Sequence, residues 1–405
     1  MITPTKSPAL LSAAAIVCVA AGAAAYAGGA SPAGAGTPPA TDAQTQAITG
    51  AATAFLRALT AEQRARIQFP FERPPKATAL RIPHGPGGRF AFEGEQYGQA
   101  AWSNYPVSDI SRPGLRLGQL TATQRTAALQ LLETVLSPMG YRKVRDIMDA
   151  DQQLSASGTP YDDGVDVYTL GVFGAPSDTA PWMLQYGGHH LGINVVVVGP
   201  NVSFTPTLTG TQPAAFTRDG QTVRPLGRET DLAFRLMATL SAAQRQQAVL
   251  PYAVQDLVLG PGHDGEALAP EGLPVRTMSA AQRALLLDLV GQWVGMLNAD
   301  DAAPKLQRIR ADLDRSHVAW YGATTPPGPI YVRVTGPTVH VEFANQQWGP
   351  GPGGGGPGGG PGGAPGGGPG GVGPPQASGV QAGGVNHVHT VYRDPTNAYG
   401  AAWRR

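Results

Sequence analysis

The residues best placed to do chemistry in this chain are histidines, and the sharpest arrangement is His387-Val388-His389. Alternate side chains of a strand share a face, so both imidazoles stand on one side and Val388 on the other. That spacing suits two ligands on one metal. His340-Val341-Glu342 repeats the geometry, with His340 and Glu342 on one face and Val339, Val341 and Phe343 on the opposite, apolar one. Gly187-Gly188-His189-His190 precedes the most apolar run of the chain, Leu191 to Val198. Adjacent strand residues point opposite ways, so one of His189 and His190 can face a given site. Joined to His387 and His389, with Glu342 as fourth ligand or general base, it makes a nitrogen-and-carboxylate site suited to Zn, Fe, Mn or Cu. Such an ion lowers the pKa of bound water or polarises a carbonyl. Asp394 is placed to orient an imidazole, and Arg393 to grip an anionic substrate group by its fork. The plainer alternative is a set of structural histidines that hydrogen-bond backbone.

Other chemistry is poorly represented. The sequence holds no G-x-S-x-G, H-E-x-x-H or P-loop. His84 and His263, beside Pro and Gly, read as loop residues, and His317 as structural. Asp162-Asp163-Gly164-Val165-Asp166 reads as a solvated turn before a calcium loop.

The elements that must position these residues carry a repeat. Leu or Met, then Ser or Thr, then Ala-x-Gln-Arg occurs at 59–64, 120–125, 240–245 and 278–283. Each hydroxyl is an N-cap, and the Gln three residues on completes a capping box. Apolar runs with turn signals follow the second copy (167–173, 182–186, 191–198, 202–208) and the fourth (317–321, 330–334, 338–343). The expected fold is therefore α+β, with two similar halves, 43–222 and 223–347, each helical and then antiparallel. Their sheets are expected to pair and to be flanked by helices on the outer faces.

Composition sets the frame. Of 405 residues, 55 are Gly and 38 Pro, 42% are hydrophobic and 14% charged. Lys and Arg (29) nearly equal Asp and Glu (28), and no basic stripe is present, which disfavours nucleic acid as a partner. Residues 1–27 read as a signal peptide: Lys6, an Ala-rich run containing the single Cys18, then Ala25-Tyr26-Ala27 for cleavage. Cleavage leaves no cysteine, no disulfide and no stable membrane span. Residues 28–42 read as a flexible tether, 348–384 as a disordered Gly/Pro-rich insertion, and 385–405 as a strand segment returning to the body.

At the same histidine motifs the chain resembles a family catalogued as domain of unknown function 3500, mostly secreted bacterial and fungal proteins. The matching stretches are Gly114-Leu115-Arg116-Leu117, Val172-Phe173-Gly174-Ala175-Pro176-Ser177, Gly188-His189-His190-Leu191, Thr205-Pro206-Thr207, Glu342-Phe343 and Asn386 to Pro395. The resemblance runs over nearly the whole body. One departure is Asn397-Ala398-Tyr399-Gly400, where the family tends to carry an acid before its aromatic-Gly pair. The resemblance implies one folded body with a shared histidine site and no particular reaction. The residues themselves lead to a secreted, periplasmic or cell-surface metal-dependent enzyme, hydrolytic or oxidative, acting on a small or polymeric extracellular substrate. The second reading is a non-catalytic extracellular metal- or ligand-binding protein. The third is a cell-surface module with the Gly/Pro tract as spacer.

Overall fold

The computed structural model describes residues 42–84, 88, 90–159, 161, 163–346 and 385–404. The expected leader, the tether up to residue 41 and the 348–384 insertion lie outside the described residues. The four repeated motifs all form capping boxes: Thr60 with Gln63, Thr121 with Gln124, Ser241 with Gln244, and Ser279 with Gln282. Each opens a helix, α2 (Ala61–Ile67), α3 (Ala122–Val135), α6 (Ala242–Ala248) and α7 (Ala280–Val294). The glutamines also couple helices. Gln124 Nε2 donates to Ala58 O (2.9 Å) at the end of α1 (Ala43–Ala58). Gln282 Nε2 donates to Thr239 O (2.8 Å) at the end of α5 (Gly227–Thr239). Two further helices follow the third and seventh: α4 (Pro138–Ala156), capped by Ser137 with Pro138 in its first turn, and α8 (Ala299–Asp312), capped by Asn298.

The strands are β1 (Gln68–Phe69), β2 (Thr78–His84), β3 (Phe90–Tyr97), β4 (Ala100–Ser103), β5 (Leu115–Arg116), β6 (Thr169–Phe173), β7 (Trp182–Gly187), β8 (Leu191–Val198), β9 (Asn201–Ser203) and β10 (Thr207–Thr211). Then come β11 (Phe216–Arg218), β12 (Gln221–Val223), β13 (Leu273–Pro274), β14 (His317–Gly322), β15 (Ile330–Gly336), β16 (Val339–Gln346) and β17 (His387–Arg393). The run expected over 202–208 splits into β9 and β10, because Pro206 has no N–H to give a ladder.

The fold is α+β. One large sheet has the order β1-β6-β7-β8-β10-β17-β16-β15-β14-β13, with β5 on β6 and β9 on β8. Every pairing in it is antiparallel except β1 with β6. The early and late strands therefore join edge to edge, through β10 and β17, and not as two packed sheets.

Among the described residues, the α-helices flank one face. Alternate residues such as Val172, Leu184, Ile193, Val332, Val341 and Tyr392 share a continuous core with helix residues from Ile48 to Ile309. The opposite face, carrying Phe173, Met183, Val196, Tyr331, Ala344 and Val391, is covered by the β2-β3-β4 sheet, the 249–262 loop and the C-terminal turn at Tyr399. Helices on both outer faces were the expectation. The loop and small sheet fill the second face because they carry buried partners for the polar residues that point there, described next.

Candidate metal centre

On β17 the period of two puts His387, His389, Val391 and Arg393 on the loop-covered face. His389 lies opposite Gly210 of β10. A Cβ at Gly210 would stand 3.0 Å from His190 Cδ2 and 3.3 Å from His389 Cδ2. The missing side chain is therefore what lets the His190 ring cross β10 and reach β17. Gly188, His189 and His190 form the tight connection from β7 to β8, closed by Gly188 N donating to Leu191 O (2.9 Å). Strand alternation does not apply within that turn, and the two rings stack, centroids 3.9 Å apart and 18° between planes.

Three imidazoles converge. His190 Nε2 is 2.9 Å from His387 Nε2, which is 2.7 Å from His389 Nε2. All three residues are buried, at most 5% exposed. The other nitrogen of two rings is held by a carboxylate: His190 Nδ1 by Asp151 Oδ1 (2.6 Å), and His389 Nδ1 by both oxygens of Asp256 (3.0 and 3.1 Å). A carboxylate on Nδ1 fixes the Nδ1–H tautomer and leaves Nε2 as a lone pair. His190 and His389 thus both aim lone pairs at His387 Nε2, which as a neutral ring has at most one N–H to offer. One contact is left acceptor to acceptor, and a cation among the three nitrogens removes that conflict. Burial, with His389 adding, pushes His190 down to about 3, and burial pushes His387 well below its ordinary value. Both rings are neutral near pH 7, the form that ligates. Two nitrogens on one tetrahedral ion at about 2.0–2.1 Å stand roughly 3.3 Å apart, so the rings part by about half an ångström to admit it.

The carboxylates are themselves anchored. Tyr168 Oη donates to Asp151 Oδ2 (2.6 Å). Burial lifts the Asp151 carboxyl to about 7, opposed by the neighbouring His189 and by the Tyr168 bond. Gly188 packs on that tyrosine, where a Cβ would stand 2.9 Å from the ring. Arg112, buried, donates to Ser103 O (2.7 Å), Tyr105 O (2.7 Å) and Gly188 O (2.8 Å), tying the histidine turn to the loop beyond β4.

A second buried group, Asp151, His189 and His190, also brings possible ligand atoms together, so two His/Asp groups here could hold a metal ion. The first has the better geometry. Near-parallel stacked rings cannot aim two in-plane lone pairs at one point, and His189 Nδ1 is already taken by Asp163 Oδ1 (2.8 Å).

The remaining site residues expected from sequence lie elsewhere. Glu342 shares the face of His389 but accepts from Val258 N (2.6 Å), Leu259 N (2.7 Å), Tyr331 Oη (2.6 Å) and His340 Nε2 (2.8 Å). Four donors use up its oxygens, and it is not brought to the imidazoles as a ligand. Arg393 is buried against Glu95, Leu259 O and Gly260 O, with Trp102 below its guanidinium, so its fork is not open to a substrate. Asp394 holds Lys305 and the Thr396 backbone and orients no imidazole; Asp151 and Asp256 do that.

Asp151, Asp256, Gly210 and Arg112 were not singled out from sequence. Two had a signal. Asp151 interrupts the inward stripe Val144, Ile147, Met148, Leu154 of α4, and Gly210 sits inside a strand. Asp256, in an irregular loop, had none. Among the described residues no helix is long and apolar enough to cross a membrane.

A family model described as "Protein of unknown function (DUF3500)" matches residues 89–401, which include every member of both histidine groups. No curated protein and no solved structure matches the chain. With over half of its length covered by that model, the chain belongs to the DUF3500 family of proteins of unknown function.

Proposed function

We propose that this is an exported metal-dependent enzyme, hydrolytic or oxidative, acting on a small or polymeric extracellular substrate. The observation that carries the reading is the meeting of three Nε2 atoms, two of them on rings whose Nδ1 is held by a carboxylate. His190, His387 and His389 are the ligands. An all-imidazole set suits Zn, Cu or Fe, ahead of Mn, which favours oxygen donors. Three protein ligands leave a position open, as catalytic sites do. When bound, the ion supplies an acidic water or a polarised carbonyl. Asp151 and Asp256 hold the rings in the ligating tautomer. The apolar, Ala-rich start of the sequence supports export.

Metal analysis of the purified full chain tests this. The expected result is about one transition-metal ion per chain, with occupancy at least roughly tenfold lower in His387→Ala. Absence of metal under zinc, iron, manganese and copper loading overturns it. A second reading, a non-catalytic metal- or ligand-binding protein, is favoured by the closure of the site, since the three rings are at most 5% exposed. Turnover on hydrolase and oxidase substrate panels decides between the two.

A further inference from the structure

His189 has no part in the convergence of the three imidazoles, yet it is built with equal care. It is only 7% exposed and its Nδ1–H is fixed on Asp163 Oδ1 (2.8 Å). Against burial, the His189 bond holds the Asp163 carboxyl below its ordinary value. The tautomer is thus set, and Nε2 is a lone pair with no protein partner among the described residues. The ring lies flat on His190, so it cannot share an ion with that residue in-plane. Its other neighbour is Tyr161, edge-on at 6.3 Å and 40% exposed, which marks the solvent side.

Several carboxylates act on that side, Glu93 among them already paired with Arg81 (3.1 Å). Burial, then Asp109 and Asp163, push the Tyr161 hydroxyl up. Burial, then Asp256, Glu93 and Asp109, push Tyr105 up to about 12. Asp109 is felt by both tyrosines. Arg112, a cation that also acts on Asp109, is buried and turns its Nη2 to the backbone carbonyls of Ser103, Tyr105 and Gly188.

We propose that His189 is a ligand-contacting residue, its Nε2 accepting a hydrogen bond from a neutral or cationic molecule bearing hydroxyl or amine groups, bound beside Tyr161 and Asp109. Carboxylates and phosphates are disfavoured there, because the carboxylates of Asp109 and Asp163 repel them. This rests on the metal-centre reading for its chemistry, but its selectivity does not need the ion.

Three two-carbon probes of equal size and different charge test it: ethanolamine, ethylene glycol and glycolate. Ligand-observed NMR on the metal-free full chain should rank them in that order, in steps of roughly fivefold, the scale of one part-exposed charge contact. Asp109→Asn, which touches none of the imidazoles, should flatten the ranking. His189→Gln should weaken ethylene glycol by roughly fivefold while zinc stoichiometry stays unchanged. Glycolate binding as tightly as ethanolamine, no binding of any probe, or loss of zinc with His189→Gln overturns the proposal. A chain that takes up no metal defeats the metal reading alone, and the ranking still decides this one.

Discussion

β17 ends in two different buried polar clusters on the same face of the sheet. At one end, Arg393 donates through Nε to Leu259 O (2.8 Å) and through Nη2 to Glu95 Oε2 (2.5 Å) and Gly260 O (2.6 Å). Glu95 also accepts from Tyr399 Oη (2.7 Å) and Gly262 N (2.9 Å). Donors and acceptors balance there, and nothing is left over for a ligand. Two residues before Val391, the balance fails: His387 and His389 join His190 with more lone pairs than protons. Burial is alike at both ends. What separates a structural cluster from a cation site is the donor count, and that depends on which nitrogen each carboxylate takes.

The largest effect should come from breaking the balanced end. Glu95→Gln removes the close counter-ion of the buried Arg393 cation and leaves it only the more distant Asp264 (3.9 Å), and breaking a buried pair typically costs about 3–5 kcal/mol. Urea unfolding should show that loss, while the surviving folded protein should bind metal as before. A parallel loss of metal affinity would mean that the two clusters are one coupled unit.

Acid should act on the other end. Burial, with His190 adding, pushes His189 down to about 4, and His190 lies at about 3. Unfolded histidines titrate near 6.5, so below that pH the unfolded chain binds more protons and stability falls as pH drops. His387, also pushed down, adds to this. Asp151 acts in the opposite sense. Its folded carboxyl, lifted to about 7, keeps a proton that the unfolded one releases above about 3.9, so its share grows as pH falls. Three imidazoles against one carboxyl leave a net of about two protons, at roughly 1.4 kcal/mol each per pH unit. Unfolding of the metal-free chain at pH 7 and 5 should show this decline, and a flat profile would show that the rings are charged in the fold.

The two clusters were unequally legible in the sequence. His387 and His389 follow from a period of two, which needs only a strand. The α+β class followed from caps and apolar runs, because those signals are local. Arg393 and Glu342 were misassigned because a charge on a strand reads the same whether its partners are protein or substrate. Those partners, Glu95 and the backbone at 258–260, are 83 residues or more away in the chain. The order of strands was also out of reach. β17 enters between β10 and β16, and no periodicity records which edge a late strand will choose.

Asp256 gives the smallest and most discriminating test. Its side chain is 44% exposed and carries the His389 Nδ1–H on two oxygens, so its removal should hardly change folding stability. It should change the lone pair. Asp256→Asn keeps an oxygen acceptor, and with it the ring's tautomer and aim, but removes the negative charge that makes Nε2 a stronger donor to a cation. Asp256→Ala removes both. Outer partners of ligating histidines typically contribute 10–100-fold in metal affinity, so zinc titration should place Asn at roughly tenfold weaker and Ala nearer a hundredfold. If both variants bind zinc as the parent does, Asp256 merely covers a histidine, and the acceptor excess at this end of β17 has some other resolution. If Asn binds as the parent and Ala does not, aim alone matters, and the contrast between the two ends of the strand reduces to geometry without charge.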